Sequence, residues 1–174
     1  MSKMIDNNRL VELIPQLRRY ARFLMRDILQ ADDLVQDCLV RSLAAQSSYD
    51  PTRSLKSWTF AIMHNLFIDG KRSVQRVGVA EELKEETLAH AGHSPEESVE
   101  LKDVARAMDR LKTEQREVLL LVAVEGMSYR EVGSILELPI GTVMSRLYRA
   151  REHLRRIVNE EVQIQASENI ARLR

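Results

Sequence analysis

Five arginines, Arg146, Arg149, Arg151, Arg155 and Arg156, lie between Gly141 and Arg156 against one carboxylate, Glu152, a local balance of +4. Guanidinium groups crowded on one helix can grip phosphates, and a bidentate arginine–guanine pair adds about 1–3 kcal/mol of base discrimination. A basic stripe alone is equally the solvated face of an ordinary amphipathic helix. What precedes it decides for DNA. Val132, Ile135 and Leu136 share a helical face, and Ser128 with Glu131 three residues later forms a capping-box pattern. Leu138-Pro139-Ile140-Gly141-Thr142 breaks the helix and restarts it, with Thr142 expected as the new N-cap. The restarted helix buries Val143, Leu147 and Leu154, and turns Ser145, Arg146, Arg149 and Arg156 to other faces. This is the pattern of a helix-turn-helix whose second helix lies in the major groove.

A second constellation sits in the N-terminal half. Leu10, Leu13, Ile14, Leu17, Ala21 and Leu24 trace one helical face, within which Pro15 marks a helix start or a kink. The next helix is expected from about Ala31 to Ala45, opened by Asp32 and Asp33, with Leu34, Val35, Cys38, Leu39 and part of Val40 buried. Asp33, Gln36, Asp37 and Arg41 then point outward. After the polar loop around Tyr49, a third helix runs from about Leu55 to Arg72, with Trp58, Ile62 and Leu66 on one face. Tyr49 and Asn65 beside this basic helix suit a stacked or flipped base. The alternative is a tyrosine packed on its loop and an asparagine bonded to backbone.

The fold class is all-α: apolar residues recur at three and four positions, and no alternating run reaches strand length. Charge divides the chain. Residues 1–73 carry 11 basic and 8 acidic groups, residues 74–100 carry 2 and 7, and residues 101–174 carry 13 and 11. The spacing therefore predicts two small helical domains, 8–73 and 100–158, joined by a flexible acidic linker, 74–99, and followed by a tail, 159–174. A short helix near Glu81–Leu88 is expected in the linker. With 26 basic and 26 acidic side chains the whole chain is neutral, so DNA affinity on its own should be weak and strongly salt-dependent.

Other chemistry finds little support. No Gly-rich phosphate loop, nucleophile–base group or metal-ligand spacing is present, so neither an enzyme nor a cofactor is expected. His90 and His93 lack further ligands, and Glu96, Glu97 and Glu100 read as solvated. Cys38 is the single cysteine, which suits a reducing cytoplasm; a buried core residue is its expected role and a redox sensor the alternative. The N-terminus lacks a signal-peptide core, and the longest apolar run, Val118 to Val124, is too short to span a membrane.

The order of Asp32-Asp33-Leu34-Val35-Gln36-Asp37, then Trp58, Ala61, Ile62, Asn65, Asp69 and Arg72, then Ser128-Tyr129, Glu131-Val132, Gly141-Thr142-Val143, Ser145-Arg146 and Ala150-Arg151 resembles an extracytoplasmic-function sigma factor of bacterial RNA polymerase. This is the minimal kind, with regions 2 and 4 only. The resemblance covers roughly residues 8–73 and 100–156. It implies a protein that binds polymerase core, through the β′ clamp and β flap, and directs it to promoters. It implies core binding by Asp33, Gln36, Asp37 and Arg41, and −10 contacts by Tyr49, Trp58, Asn65, Lys71 and Arg72. It implies −35 contacts by Thr142, Ser145, Arg146, Arg149 and Arg151. Met144 departs from the family pattern, where a basic residue is common; it offers only an apolar contact, for instance to a thymine methyl.

The resemblance also implies control by an anti-sigma protein, and a chain that is compact when free and opens on core polymerase. Two rivals remain open at this level. A stand-alone regulator would bind duplex DNA without polymerase, and a protein-binding decoy would occupy polymerase without reading a promoter.

Overall fold

Asp27 sets the frame of the N-terminal half. Its side chain accepts the amide of Gln30 at 2.8 Å, which starts a helix at Ile28. In this computed structural model, residues 5–25, 27–76, 107–108 and 110–172 are described. Helix α1 spans Asn7–Glu12 and α2 spans Ile14–Met25, broken from each other at Leu13. Pro15 therefore lies in the first turn of α2, where its missing N–H costs nothing, so it is a helix start rather than a kink. Helix α3 spans Ile28–Ala44, beginning three residues before the expected Ala31 because Asp27 caps it; Asp32 and Asp33 fall in its second turn. A 3-10 turn, Gln46–Ser48, leads to α4, Leu55–Arg76.

The C-terminal half has α5, Thr113–Leu119, a single π-helical turn, Leu120–Val124, α6, Tyr129–Ile135, and α7, Ile140–Arg172. No strand occurs among the described residues. The expected linker 74–99 with its short helix, and with it His90, His93 and the Glu96–Glu100 run, lies almost wholly outside the described residues. The tail is helical backbone as far as Arg172, a continuation of α7.

The core of the first half comes from Leu17, Tyr20, Ala21 and Leu24 of α2, Ala31, Leu34, Val35 and Cys38 of α3, and Phe60, Met63 and Phe67 of α4. The face of α4 expected to be buried, Trp58, Ile62 and Leu66, is only half-buried. The reason is tertiary: α4 packs on α2 and α3 and also on α6 of the other half, so more than one stripe is covered. Val40, expected to be partly buried, is 67% exposed. In the second half, Val132, Ile135, Val143, Leu147 and Ala150 are buried together with Val118 to Leu121. Most buried apolar residues of both halves join in one continuous cluster, while Ile5, Leu10 and Leu55 form a separate one in the first half.

Two backbone features shape the helix-turn-helix. Glu137 adopts φ 54°, closing α6, and the Leu138 amide returns to the Gly133 carbonyl at 2.9 Å. A Cβ on Gly133 would stand 2.8 Å from the Leu138 carbonyl oxygen, so only glycine permits the turn this close. Helix α7 starts at Ile140, and the Pro139 carbonyl accepts from both Thr142 and Val143. Thr142 is thus inside the first turn rather than at the N-cap; the turn places the start three residues earlier than the sequence suggests.

Candidate nucleic-acid interface

The first helix of the helix-turn-helix is capped as its sequence requires. Ser128 Oγ accepts the Glu131 amide, and Glu131 Oε2 accepts the Ser128 amide at 2.9 Å. Behind the turn, Val143, Leu147 and Ala150 seat α7 on the core. With 100° per residue, that buried stripe leaves a broad solvent arc. Arg151 stands at one rim; Thr142 and Arg146, both half-buried, stand toward the other, beside exposed Arg149. Met144, Tyr148 and Ser145 occupy the middle of the arc, Met144 52% and Tyr148 67% exposed. Cations at the rims with neutral side chains between them fit a helix straddled by two phosphate strands.

The expected −35 set is therefore not one cluster. Thr142, Ser145 and Arg149 share a side, while Arg151 is turned more than about 100° from each of them. Ser145 Oγ donates to the Thr142 carbonyl at 3.0 Å. Arg146 pairs with Glu114 of α5, Nη2 to Oε2 3.1 Å, which ties α7 to α5. Tyr148 carried no weight in the sequence reading. Its signal was available: an aromatic one turn beyond Met144 on a face with no apolar partner.

In the first half, Asp33, Gln36, Asp37 and Arg41 are all exposed along the outer face of α3. Leu29, 76% exposed, and Val40 flank them. Tyr49 packs on Trp58, ring centroids 5.2 Å apart, and its hydroxyl donates to the Arg53 carbonyl at 2.8 Å. Asn65 is exposed on α4. Lys71 lies over the Phe67 ring at 4.5 Å, and Arg72 faces Asp69 at 3.8 Å. Tyr49 and Trp58 thus form one aromatic corner, and Lys71 and Arg72 continue along the same helix toward its C-terminal end.

Cys38 is fully buried, and burial pushes its thiol up to about 12. It is a core residue and not a poised thiolate. Among the described residues no three side chains group as a metal site, and no helix is long and apolar enough to cross a membrane.

A polar set between the two halves escaped the sequence reading altogether. Glu117 Oε1 accepts the Tyr20 hydroxyl at 2.7 Å and lies 3.0 Å from His64 Nδ1, all three side chains buried. Burial, then the Glu117 charge, raises the Tyr20 phenol well above its ordinary value. The Glu125 side chain is wholly buried between Arg19 at 2.7 Å and Lys56 at 3.1 Å. Lys56 Nζ also donates to the Glu125 carbonyl at 2.6 Å. Ser57 Oγ donates to Glu131 Oε1 at 2.5 Å. The one legible hint was that Glu117 and Glu125 bracket the apolar run Val118 to Val124.

The family model for sigma-70 region 4 matches residues 101–154, and that for the Sigma2 domain of PhyR matches residues 10–64. The chain is 37% identical over 143 residues to the ECF RNA polymerase sigma factor EcfG of Rhodopseudomonas palustris, covering 81% of this chain and 78% of the relative. It is 30% identical to the ECF RNA polymerase sigma factor SigM of Bacillus subtilis, over 83% of this chain and 89% of that one. Among solved structures it resembles the sigma factor RpoE in complex with the anti-sigma factor NepR from Bartonella quintana, with a TM-score of 0.75 and 32% identity. That match covers 88% of this chain and 96% of the other. It also resembles CnrH in complex with the cytosolic domain of CnrY, with a TM-score of 0.63 and 28% identity, over 88% and 87% of the two chains.

Proposed function

The chain belongs to the extracytoplasmic-function sigma factors of RNA polymerase, and from that premise we propose how its residues divide the work. As a sigma factor it performs no covalent chemistry; it joins polymerase core and makes initiation promoter-specific. The α3 face of Asp33, Gln36, Asp37 and Arg41 docks the clamp of the β′ subunit, with charge setting orientation and encounter more than affinity. Leu29 and Val40 supply apolar contact at its margins. The second module engages the β flap and the −35 duplex.

On α7, Arg149 and Arg151 grip phosphates on opposite strands, while Ser145, Met144 and Tyr148 approach base edges. Thr142 supports the first turn, and Arg146 contributes to DNA only when its Glu114 pair is released. Met144 and Tyr148 favour thymine methyls over polar edges. At the −10 element, the Tyr49–Trp58 corner and Asn65 receive an extruded base, while Lys71 and Arg72 track the melted strand. Unstacking costs a few kcal/mol, which capture of the base offsets.

Residues 8–73 and 100–158 are the two working modules, and the segment between them is the tether. Solved relatives carry bound partners, the anti-sigma factor NepR in one and the cytosolic domain of CnrY in another, and this chain is held in the same manner as the first by an anti-sigma partner. Its site of action is the cytoplasm, where polymerase and promoters are.

The observation that carries the reading is that one chain holds both matched modules, with an exposed recognition arc on α7. Run-off transcription with bacterial core polymerase on a promoter library tests it. Discrete new start sites sharing upstream −35 and −10 motifs are expected. No transcription, with salt-sensitive duplex binding by the chain alone, would replace it with a stand-alone regulator.

A further inference from the structure

We infer that the N-terminal segment from Ile5 to Leu13 positions the Tyr49–Trp58 corner, with Ile5 and Leu10 holding the two rings in place to receive the extruded base. The corner does not sit on the main core. Ile5, Leu10 and Leu55 are buried together in a separate apolar cluster, and Tyr49 and Trp58 pack against it. Leu13 and Leu39 lie against both clusters and join this floor to the rest of the module. The hydrogen bonds around the corner are local. The Tyr49 hydroxyl donates to the Arg53 carbonyl at 2.8 Å, and the Thr52 amide and hydroxyl donate to Asp50 Oδ1 at 2.9 and 2.8 Å. The Trp58 amide donates to the Ser54 carbonyl at 3.0 Å. These bonds tie residues 49–58 to one another and shape the loop. What seats the ring pair on the module is apolar contact, and two of the three buried residues beneath it belong to the N-terminal segment.

Helix α1 makes the support conditional. It has 6 residues, far below the roughly 12–15 at which a helix holds in water by itself. Its N-cap is Asp6, whose side chain accepts the Asn8 amide at 3.0 Å, and its buried residue is Leu10. The contacts that keep α1 folded are therefore the contacts that seat Tyr49 and Trp58. The coupling is reciprocal: a base held on the corner stabilises α1 by the same factor by which folded α1 favours the base. Rings on a fixed floor keep the geometry that stacking requires, and a displacement of about 1 Å forfeits much of its benefit. This role of the floor rests on the reading of the corner as the −10 base receiver; the seating of the rings on Ile5 and Leu10 does not.

The test uses the full chain, in which Trp58 is the single tryptophan and reports the corner by its own fluorescence. Leu10→Ala opens a cavity under the rings, and Leu10→Met keeps the volume. Val11→Ala alters a position of the same helix that is 60% exposed. Quenching of Trp58 by acrylamide should rise in Leu10→Ala, return toward native in Leu10→Met and stay native in Val11→Ala, with circular dichroism as the check of folding. With core polymerase on a duplex promoter from the run-off library, opening read by permanganate should slow roughly tenfold or more in Leu10→Ala. Leu10→Met should recover the rate, and affinity of Leu10→Ala for an isolated −35 duplex should stay within about twofold of native. Native quenching in folded Leu10→Ala overturns the seating. A native opening rate in Leu10→Ala, while Asn65→Ala opens slowly, overturns the positioning role alone. Native rates in both refute the −10 reading and the role that depends on it. Should Leu10→Ala fail to fold, Ile5→Ala, which lies ahead of α1, carries the same comparison.

Discussion

Glu131 and Ser57 lie 74 positions apart and are joined by a hydrogen bond of 2.5 Å, through the same carboxylate that closes the capping box over Ser128. One oxygen serves the helix-turn-helix and the other serves the neighbouring module. The local stability of α6 and the union of the two modules are thus coupled through a single side chain.

That coupling has a pH dependence. The Ser57 hydroxyl, aided by the Ser128 amide and hydroxyl, holds the Glu131 carboxyl below its ordinary 4.5. An acid held down in the folded state contributes its full stabilisation above 4.5 and loses it as pH falls through the lowered folded value. The stability difference between the native chain and Glu131→Gln should therefore shrink as pH falls from about 6 to about 3. Urea titrations across that range, showing a constant difference, would contradict the assignment.

Ser128→Ala removes the acceptor for the Glu131 amide and should cost about 1 kcal/mol. Chemical denaturation followed by the circular dichroism of the second module reads this directly. Ser128→Asp, which keeps an acceptor, should restore most of the loss.

Gly133→Ala places a methyl 2.8 Å from the Leu138 carbonyl, a backbone atom with nowhere to yield. A loss of about 1–3 kcal/mol is expected, with −35 duplex binding falling in proportion to the unfolded fraction. Gly141→Ala meets nothing within 4 Å and should leave stability nearly unchanged, making it the matched control.

Cys38 should not react with alkylating reagents at neutral or mildly alkaline pH while the chain is folded, because its thiol is buried and pushed up to about 12. Mass spectrometry before and after denaturation gives the comparison; rapid labelling of the native chain would place the thiol at the surface.

On DNA, Arg149→Ala should weaken a −35 duplex uniformly and lower the slope of affinity against salt by about one. Asn65→Ala should leave that binding intact and slow promoter melting. Filter binding for the first and a permanganate footprint for the second separate the two modules. Loss of −35 affinity in Asn65→Ala would break this division.

The parts legible in the sequence are those determined by neighbours within a turn or two. Ser128 with Glu131, and Val132, Ile135, Val143 and Leu147 as core, follow from periodicity and capping chemistry alone. The start of α3 was misplaced because Asp27, Asp32 and Asp33 are all competent for a helix beginning, and periodicity does not choose among them. The buried stripe of α4 was misplaced because two different surfaces cover it. Glu117 and Glu125 could not be read at all. Their partners Tyr20 and Arg19 are 97 and 106 positions away, and a glutamate in a helix looks the same whether solvent or another module receives it.

Helix α7 begins in the turn that presents Ser145 and Arg149 and continues as one unbroken helix to Arg172, a rod of about 50 Å. If its near end reads the −35 duplex, as proposed, its far end acts as a pointer. A rotation of the near end on duplex too small to alter any single contact would still sweep the far end by several ångströms. On that reading, the angle of the grip on a promoter is expected to appear as a displacement remote from the DNA.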